Sequence, residues 1–281
     1  MHNVVHVDEN WFNADKDKRS YLLFDGETPP VRTRQSKRYI PKTMFLAAVA
    51  RPRYDPHRKC TWDGKLGVWP FTEEYVAQRS SPYRPRGAVC TRNIETVDRS
   101  VYKTFLLQFL FPAIKTKWPR GERKRLIWVQ QDNAKPHVSP TDPDIMAAGL
   151  EGGWNIRLMF QPPNSPDMNV LDLGLFASLQ SLQYRVPMRG TEDIIRAVLD
   201  AFQSMTSETL DKIFLTLQDC MRSVLAVNGS NQYTLPHMGK DKLKRAATLP
   251  VSLHCERSVY DSAVEALKVA NNGRPPTISK K

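Results

Sequence analysis

The chain has few cysteines, and the four that it has lie far apart, at Cys60, Cys90, Cys220 and Cys255. They form no CxxC pair and have no histidine nearby at zinc-ligand spacing, so both a zinc finger and a disulfide-rich scaffold are excluded. No apolar run approaches the roughly 18 residues of a membrane span. The first residues also lack the pattern of a secretory signal peptide. These absences predict a soluble protein of a reducing, intracellular compartment.

Acidic residues are also in short supply, with 29 Asp and Glu against 41 Lys and Arg, for a formal net charge of +12. Such an excess predicts a polyanionic partner, above all nucleic acid, whose phosphates are neutralised by Lys and Arg. A merely basic soluble protein would have the same composition, so that alternative stays open here. The 281 residues suffice for one large domain, or for one domain with a helical extension.

The order of apolar runs predicts an α/β fold. Strands are expected at Met1–Phe12, Ser20–Phe24, Thr43–Ala50, Leu126–Val129 and Ile156–Phe160. Helices are expected at Val101–Lys117, at Pro143–Leu150, after the turn at Pro166, at Thr191–Gln203 and from Ser207 onward. Three strands, a long helix and then alternating strands and helices are the order of an RNase H-like fold, a mixed five-stranded sheet flanked by helices. The long crossovers that parallel neighbours need are present.

The same pattern divides the chain into three parts. Residues 1–188 are predicted to form the RNase H-like domain, with a basic linker at 13–42 and an insertion at 51–99. Residues 189–270 are predicted to form a C-terminal helical extension. Residues 271–281 are predicted to be a disordered basic tail.

Three acidic residues occupy the positions where such a sheet builds a site. Asp8 follows Met1–Val7 in the block Asp8–Phe12 on which the first strand ends, Asp132 follows the strand Leu126–Val129, and Asp172 lies in the first turn of an apolar helix. The first and fourth strands of this fold are parallel neighbours, so Asp8 and Asp132 are expected about 5 Å apart. Sites of parallel sheets lie outside the carboxyl ends of the strands. Asp63 is a weaker candidate, because Asp-Gly usually forms a turn and this one precedes its apolar run.

A cluster of three carboxylates predicts a metal site. Unpaired, the three charges would repel and raise one another's pKa, whereas divalent cations would neutralise them. Ligands that are all oxygen suit Mg²⁺ or Mn²⁺ better than zinc. With two ions bound, Asp8 is expected to bridge both, and Asp132 and Asp172 to hold one each, as two-metal phosphoryl transfer requires.

At these acids the sequence resembles the mariner-type transposases. The blocks VHVDENWF, VQQDNAKPH and QPPNSPDMNVLDLGLF are similar to that family's three catalytic blocks, Asp-Glu-Lys-Trp, Asp-Asn-Ala-x-x-His and Ser-Pro-Asp-Leu-Asn-x-x-Asp. Between Asp132 and Asp172 lie 172 − 132 − 1 = 39 residues, a spacing typical of the plant and oomycete branch. The resemblance extends from about Val4 to Pro236.

The resemblance implies the catalytic domain of a nuclear DNA transposase. Such enzymes act as homodimers on DNA, hydrolyse a phosphodiester at each transposon end, and join the freed 3′-hydroxyls to target DNA, generally at a TA dinucleotide. Two departures from the family pattern are visible. Asn10 replaces the usual Lys, and no helix-turn-helix recognition module precedes the first strand, so recognition of transposon ends is expected to be missing.

Residues beside the three acids have several interpretations. Asn133 and His137 match the family block and are predicted either to orient the site through hydrogen bonds or simply to cap the next turn. Asp167 is expected to cap the helix that bears Asp172. Glu9 points to the opposite strand face from Asp8 by alternation, which makes it a poor ligand. Trp11 and the following Phe12 are expected in the core.

Two groups of basic residues are candidates for phosphate contacts. The first lies in a loop after the predicted second strand, which in mariner-type transposases also reaches the partner subunit: Arg32, Arg34, Lys37 and Arg38. The second is Arg123 and Lys124, in a charge run before the fourth strand, where a solvated turn is the more usual interpretation. A solvated basic loop remains the alternative for the first group.

Two other functions compete with an active transposase. A domesticated or defective relative would bind DNA without cutting it, and the intact aspartates argue against decay of the site. A stand-alone ribonuclease H or a retroviral integrase fits less well, because integrases typically end the acidic triad in Glu.

Overall fold

A five-stranded mixed sheet forms the centre of the structure, a computed structural model that describes residues 1–15, 22–28, 40–82, 84–230 and 232–272. In chain order the described strands are β1 (Val4–Asn13), β2 (Lys42–Ala50), β3 (Arg53–Asp55), β4 (Cys60–Trp62), β5 (Lys65–Pro70), β6 (Thr72–Val76), β7 (Val89–Asn93), β8 (Ile127–Gln131) and β9 (Ile156–Phe160). The order in the central sheet is β5-β2-β1-β8-β9, in which β1 is antiparallel to β2 and parallel to β8, β2 is antiparallel to β5, and β8 is parallel to β9. Two further pairs of strands, β3 with β4 and β6 with β7, lie outside this sheet.

The α-helices of the described chain are α1 (Arg99–Phe105), α2 (Phe111–Lys117), α3 (Pro143–Leu150), α4 (Phe176–Gln183), α5 (Thr191–Ser204), α6 (Ser207–Ala226), α7 (Lys240–Arg245) and α8 (Arg257–Asn272). Polar side chains cap the N-termini of three of them: Asp98 accepts a hydrogen bond from Val101 N at the start of α1, Asp142 caps α3, and Thr206 caps α6. A π-helical turn, Leu106–Leu110, joins α1 to α2, and another, Leu171–Leu175, leads into α4.

The sheet is buried on both faces, which explains the nearly continuous apolar sequence of β2. Phe45, Ala47 and Val49 lie in one core with residues of α4, α5 and α6. Leu46 and Ala48 lie in the other core with residues of α1, α2 and α3. Alternate side chains of a strand point to opposite faces, so the two cores use β2 in turn.

One predicted strand was wrong. Leu22 and Phe24 belong to no strand and are exposed, and the two residues before them lie outside the described residues. The position next to β2 in the sheet is taken by β5, the apolar run that follows Asp63 inside the predicted insertion at 51–99. Leu66 of β5 is fully buried, whereas Leu22 and Phe24 are exposed, so β5 buries apolar side chains in the sheet and the predicted strand does not. The other predicted strands and helices are confirmed to within a few residues.

The helices of the predicted C-terminal extension pack partly on the sheet. Ile194 and Val198 of α5 and Phe214 of α6 belong to the core that contains Phe45. Residues 273–281, most of the predicted tail, lie outside the described residues, as do most of the basic linker and all four of its candidate arginines and lysines. Within the described part of the chain, no helix is both long enough and apolar enough to cross a membrane.

Candidate active site

The register of the sheet aligns the first two acids. In the parallel pair, Val4 lies opposite Trp128 and His6 opposite Gln130. Two residues further along each strand stand Asp8 and Asp132, at the edge where β8 ends. The sequence prediction that these two acids come from neighbouring parallel strands therefore agrees with the topology.

Asp8 and Asp172 lie close together, because the side-chain amide of Asn169 contacts both carboxyl groups. The side-chain nitrogen of Asn169 lies 2.6 Å from Oδ2 of Asp8 and 3.4 Å from Oδ2 of Asp172. Burial raises the pKa of Asp8 to about 8, helped by the negative charges of Asp172 and Glu9. Burial also raises the pKa of Asp172, against the hydrogen bonds from Asp8 and Asn169 that lower it. Without a cation, these two carboxyl groups retain a proton.

The turn that carries Asp172 is held by Asn169 rather than by Asp167. Oδ1 of Asn169 accepts a hydrogen bond of 3.0 Å from the backbone nitrogen of Leu171, while its amide nitrogen faces the two carboxyls. No side-chain cap precedes either the short 3₁₀ turn Pro166–Met168 or the π-helical turn that follows it. The cap predicted for Asp167 was therefore wrong. Asn169 was missed, although its position three residues before Asp172 places both on one side of a helical turn.

Asp132 is bound by a histidine from the loop after β8. Nδ1 of His137 lies 2.7 Å from Oδ1 of Asp132, and Nε2 lies 3.0 and 3.1 Å from the two carboxylate oxygens of Glu9. Oδ1 of Asp132 also accepts a 2.8 Å hydrogen bond from the backbone nitrogen of Ala134. His137 thus links Asp132, at the C-terminal end of β8, to Glu9 of β1. From the alternation of side chains along a strand, Glu9 was expected on the face opposite Asp8.

The environment of His137 keeps its ring charged and fixed. Burial alone would lower its pKa, but the hydrogen bond and charge of Glu9, followed by those of Asp132, raise that pKa to about 9. The ring of Tyr102 stacks on the imidazole at a centroid distance of 4.3 Å and an angle of 23°. The hydroxyl of Tyr102 lies 3.2 Å from Oε1 of Gln131, whose amide nitrogen donates to the carbonyl of Val138. The ring is therefore held by polar contacts at both nitrogens and by packing on its face.

The donor chemistry of this site fits hard divalent cations. All three acids offer oxygen ligands, and the raised pKa values of Asp8 and Asp172 mean that a cation would compete with their protons. The described residues hold no preformed group of three His, Cys, Asp or Glu side chains that could bind a metal, and Asp132 is hydrogen-bonded to His137.

The remaining candidates lie at several places. The side-chain nitrogen of Asn133 donates a 2.8 Å hydrogen bond to the carbonyl of Gln161, which ties the ends of β8 and β9 together. Asp63 lies in a turn before β5, where its Oδ1 accepts from the nitrogen of Lys65, at the opposite end of the sheet from the three acids. Arg123 and Lys124 precede β8 and are exposed at that same far end. Trp11 is 37 % exposed, so its predicted core position was wrong, whereas Phe12 is fully buried as predicted.

Comparisons with known proteins identify the fold. No family model matches the chain, and no curated protein matches it by sequence. Several solved structures of Mos1 mariner transposase are similar to it. The Mos1 mariner paired end complex with Mn has a TM-score of 0.55 at 20% identity, and the Mos1 strand transfer complex has the same values. The Mos1 transposase catalytic domain with Raltegravir and Mn has a TM-score of 0.51 at 17% identity.

These alignments differ in how much of each protein they cover. The paired end complex match covers 82% of this chain and 56% of that one, so the chain aligns with little more than half of the longer Mos1 protein. The match to the separate catalytic domain covers 83% of this chain and 86% of the other. At these identities, the likeness establishes an RNase H-like fold of the kind that the Mos1 catalytic domain has.

Proposed function

We propose that this chain is the catalytic domain of a mariner-like DNA transposase, which cleaves phosphodiester bonds and transfers DNA strands with divalent metal ions. The observation that carries the proposal is that Asp8 and Asp172 meet at the side-chain amide of Asn169, beside the parallel strand β8, which Asp132 directly follows. Three ordered sequence blocks supply these acids at the spacing of the family. The fold that holds them is the one shared with the Mos1 catalytic domain.

Each residue of the site has a role in this proposal. Asp8, Asp132 and Asp172 would hold two Mg²⁺ or Mn²⁺ ions. Bound there, such ions would lower the pKa of a water or 3′-hydroxyl nucleophile and stabilise the leaving oxygen. Burial raises the pKa of Asp8 and of Asp172, so metal binding would compete with protonation of these two carboxyl groups.

Two neighbours prepare the carboxylates for that task. Asn169 donates to Asp8 and so fixes the direction of its carboxyl group, and it also holds the turn of Asp172. His137 donates to Asp132 while Glu9 holds the far side of the imidazole ring. Hydrogen bonds of this kind orient metal ligands and raise their affinity.

The finer features of the function follow from the resemblance. The substrate is DNA, in keeping with the net charge of +12 and with structural neighbours that were solved as transposon-end and strand-transfer complexes. A TA target, a homodimer, a nuclear location and membership of the plant and oomycete branch are further parts of the proposal. The branch rests on the 39-residue spacing between Asp132 and Asp172.

A non-catalytic DNA-binding protein is the second candidate. One observation favours it: the described residues form no ready cage for a metal, because Asp132 is already bonded to His137. Such a protein would retain the basic surface and the fold but would leave phosphodiester bonds intact.

The test is an assay of cleavage and strand joining with the purified chain. The substrates are a generic DNA duplex and a pre-cut duplex with a free 3′-hydroxyl, each with Mn²⁺ or with EDTA. Asp132→Ala is the test variant. Asp63→Ala is the matched control, because it also removes one carboxylate from a turn next to a strand, but at the far end of the sheet.

Three outcomes separate the candidates. Metal-dependent cleavage or joining by the wild type and Asp63→Ala, lost in Asp132→Ala, supports the transposase. DNA binding without cleavage by any of the three proteins supports the non-catalytic candidate. Cleavage that survives in Asp132→Ala contradicts the assignment of the site.

A further inference from the structure

A two-stranded arm leaves the sheet at the same end as the three acids. It consists of β6, β7 and a connecting tip whose described residues are 77–82 and 84–88, and is here called the β6–β7 arm. Pro70, the last residue of β5, lies opposite Phe45, which in turn lies opposite Asn10, two residues beyond Asp8. The arm therefore begins close to the level of Asp8 and at the catalytic end of the sheet.

The base of the arm is fastened to the catalytic domain by hydrogen bonds. The nitrogen of Phe71 donates to the carbonyl of Met44, and the nitrogen of Ile94 donates to the carbonyl of Phe71. The side chain of Asn93 donates to the carbonyl of Lys42 at 2.7 Å. Strands of five residues extend about 17 Å from this base, so the tip lies within one turn of a DNA duplex, about 34 Å, of the sheet's end.

Backbone contacts also order the tip. The nitrogen of Ala77 donates to the carbonyl of Ala88, and the nitrogen of Gly87 donates back to the carbonyl of Ala77. Ser81 and Arg84 exchange backbone hydrogen bonds across the turn. The nitrogen of Arg86 donates to Oγ of Ser80 at 3.1 Å. A tip held in this way presents its side chains at defined positions and loses little entropy on binding.

The charge of the tip is of one sign. Residues 77–88 contain three arginines and no acidic residue. Arg79 and Arg86 are exposed and make no ion pair with a described acidic residue, and Arg84 is held by the Tyr75 hydroxyl and lies over the Tyr75 ring at 5.5 Å. Nearer the base, Arg92 pairs with Glu73 at 2.8 Å, and Glu74 is a further exposed acid. The positive charge is therefore concentrated at the end of the arm farthest from the sheet.

We propose that the β6–β7 arm grips the phosphate backbone of duplex DNA beside the bond that is cut or joined, through Arg79, Arg84 and Arg86. The inference rests on the proposed function, because it takes the partner to be DNA. Arginine forks match phosphate oxygens, and contacts of this kind position a protein without reading sequence. Between the acids and the arm, Lys42 lies over the Trp11 ring at 4.2 Å, which continues the basic and aromatic surface.

Charge decides for DNA over a protein partner. The apolar surface on the strands of the arm is small, consisting mainly of the exposed cross-strand pair Val76 and Val89. Tip arginines without acidic partners would remain unpaired in an apolar interface, at a desolvation cost, whereas a duplex offers phosphates along its whole length.

The experiment measures how DNA affinity depends on salt. Binding of a generic 30-base-pair duplex is followed by fluorescence anisotropy in EDTA over a series of NaCl concentrations. The arm variant is Arg79→Gln/Arg84→Gln/Arg86→Gln, and the control is Arg157→Gln/Arg245→Gln/Arg257→Gln, which removes three exposed arginines from elements outside the arm. Each phosphate contact contributes about 0.9 to the slope of log K against log salt. The arm variant should lower that slope by about 2 to 3 and the control should not.

A second variant protects the result against misfolding. Arg79→Gln/Arg86→Gln changes only the two exposed arginines without described acidic partners, and it should lower the slope by about 2. Arg79→Lys/Arg86→Lys should restore most of the slope, since the charges remain. An unchanged slope in the arm variants, or an equal loss in the control, overturns the inference. A change of dimerisation in size-exclusion chromatography with unchanged DNA binding would assign the arm to a protein contact and also overturn it.

Failure of this inference and failure of the proposed function are separable, because binding is measured without metal and without chemistry. If the wild type cleaves DNA but the arm variant binds with an unchanged slope, the transposase proposal stands and the DNA-binding role of the arm is contradicted. If the arm variant has a reduced slope but the wild type never cleaves, the role of the arm is supported and the transposase proposal is contradicted.

Discussion

Nδ1 of His137 lies 2.7 Å from Oδ1 of Asp132, and the far side of the same ring is held by Glu9, 128 residues away in the chain. Asp132 and Glu9 thereby become coupled through one imidazole. The two carboxylates come from neighbouring strands: Asp132 directly follows β8, and Glu9 belongs to β1. The hydrogen bonds from His137 and from the backbone nitrogen of Ala134 hold the carboxylate of Asp132 in one orientation.

Removal of this bridge should weaken metal binding more than it weakens the fold. His137→Ala is expected to lower Mn²⁺ affinity about 10- to 100-fold, as loss of a hydrogen bond to a metal ligand generally does. Glu9→Gln keeps a polar partner for the ring and should have a smaller effect. Isothermal titration calorimetry with Mn²⁺ measures both. Tyr102→Phe is the control, since it keeps the ring stack but loses the hydroxyl contact with Gln131. Equal Mn²⁺ affinities in the wild type and His137→Ala would show that the bridge is structural only.

Asn169 should matter for both stability and activity. Asn169→Ala removes the donor to Asp8 and the acceptor for the nitrogen of Leu171. Loss of a buried partner of a carboxyl group costs about 1–3 kcal/mol, which urea denaturation in EDTA would detect, and strand joining should fall as well. Asn155→Ala is a suitable control, because its side chain accepts a hydrogen bond from the exposed Arg157 and touches none of the three acids through a described hydrogen bond. A variant as stable and as active as the wild type would show that Asn169 has no positioning role.

The stability of the metal-free protein should fall as pH rises. The pKa of folded Asp8, about 8, exceeds its ordinary value of 3.8, so the folded chain holds a proton that the unfolded chain releases. The resulting stability is complete below about pH 4 and is lost as pH rises through 8. His137 acts in the same direction, since its pKa of about 9 exceeds 6.5 and its contribution is lost as pH rises through 9.

Thermal unfolding in EDTA at pH 6, 7 and 8 measures this dependence. The melting temperature should fall on the order of several degrees over that range. Asp8→Asn, which cannot ionise, should show a shallower decline. Added Mg²⁺ should stabilise the wild type most at pH 8, where the competing proton is bound least strongly, and should not stabilise Asp8→Asn. A melting temperature that rises with pH in EDTA would contradict the raised pKa of Asp8.

Gly149 allows α3 to lie against β9. A Cβ atom at this position would stand 2.2 Å from the carbonyl oxygen of Ile156, which belongs to the backbone and has little freedom to move. Gly149→Ala should therefore destabilise the fold by about 1–3 kcal/mol. Gly190→Ala, where nothing lies within 4 Å, serves as the control and should cost about 1 kcal/mol or less, because Gly190 is the N-cap of α5, a position where Ala is less favourable than Gly. Urea denaturation compares them, and equal stabilities would contradict the close approach.

Much of the fold was accessible from local patterns. The strands and helices that bear the three acids were predicted at nearly their observed bounds, because buried strands and amphipathic helices leave periodic apolar residues. The strand predicted at Ser20–Phe24 was wrong, because its local pattern is apolar but its described residues are not packed in the sheet. Three apolar residues in a row predict a strand locally, but Leu22 and Phe24 are exposed and have no strand beside them. β5 was not predicted as a strand of the main sheet, because the residues around it in the chain are rich in Pro, Arg and Ser and indicated an insertion.

The sequence alone determined the order of the elements and the places of Asp132, which directly follows a strand, and of Asp172, which lies in a helical turn. Asp8, expected where the first strand ends, lies inside that strand, because β1 continues to Asn13 in its pairing with β2. Only the tertiary structure decided which side chains serve those acids. Asn169 contacts Asp8 from 161 residues away, and Glu9 reaches Asp132 only through His137. Such contacts depend on how distant segments pack and on where side chains cross a strand end, and no local periodicity records either.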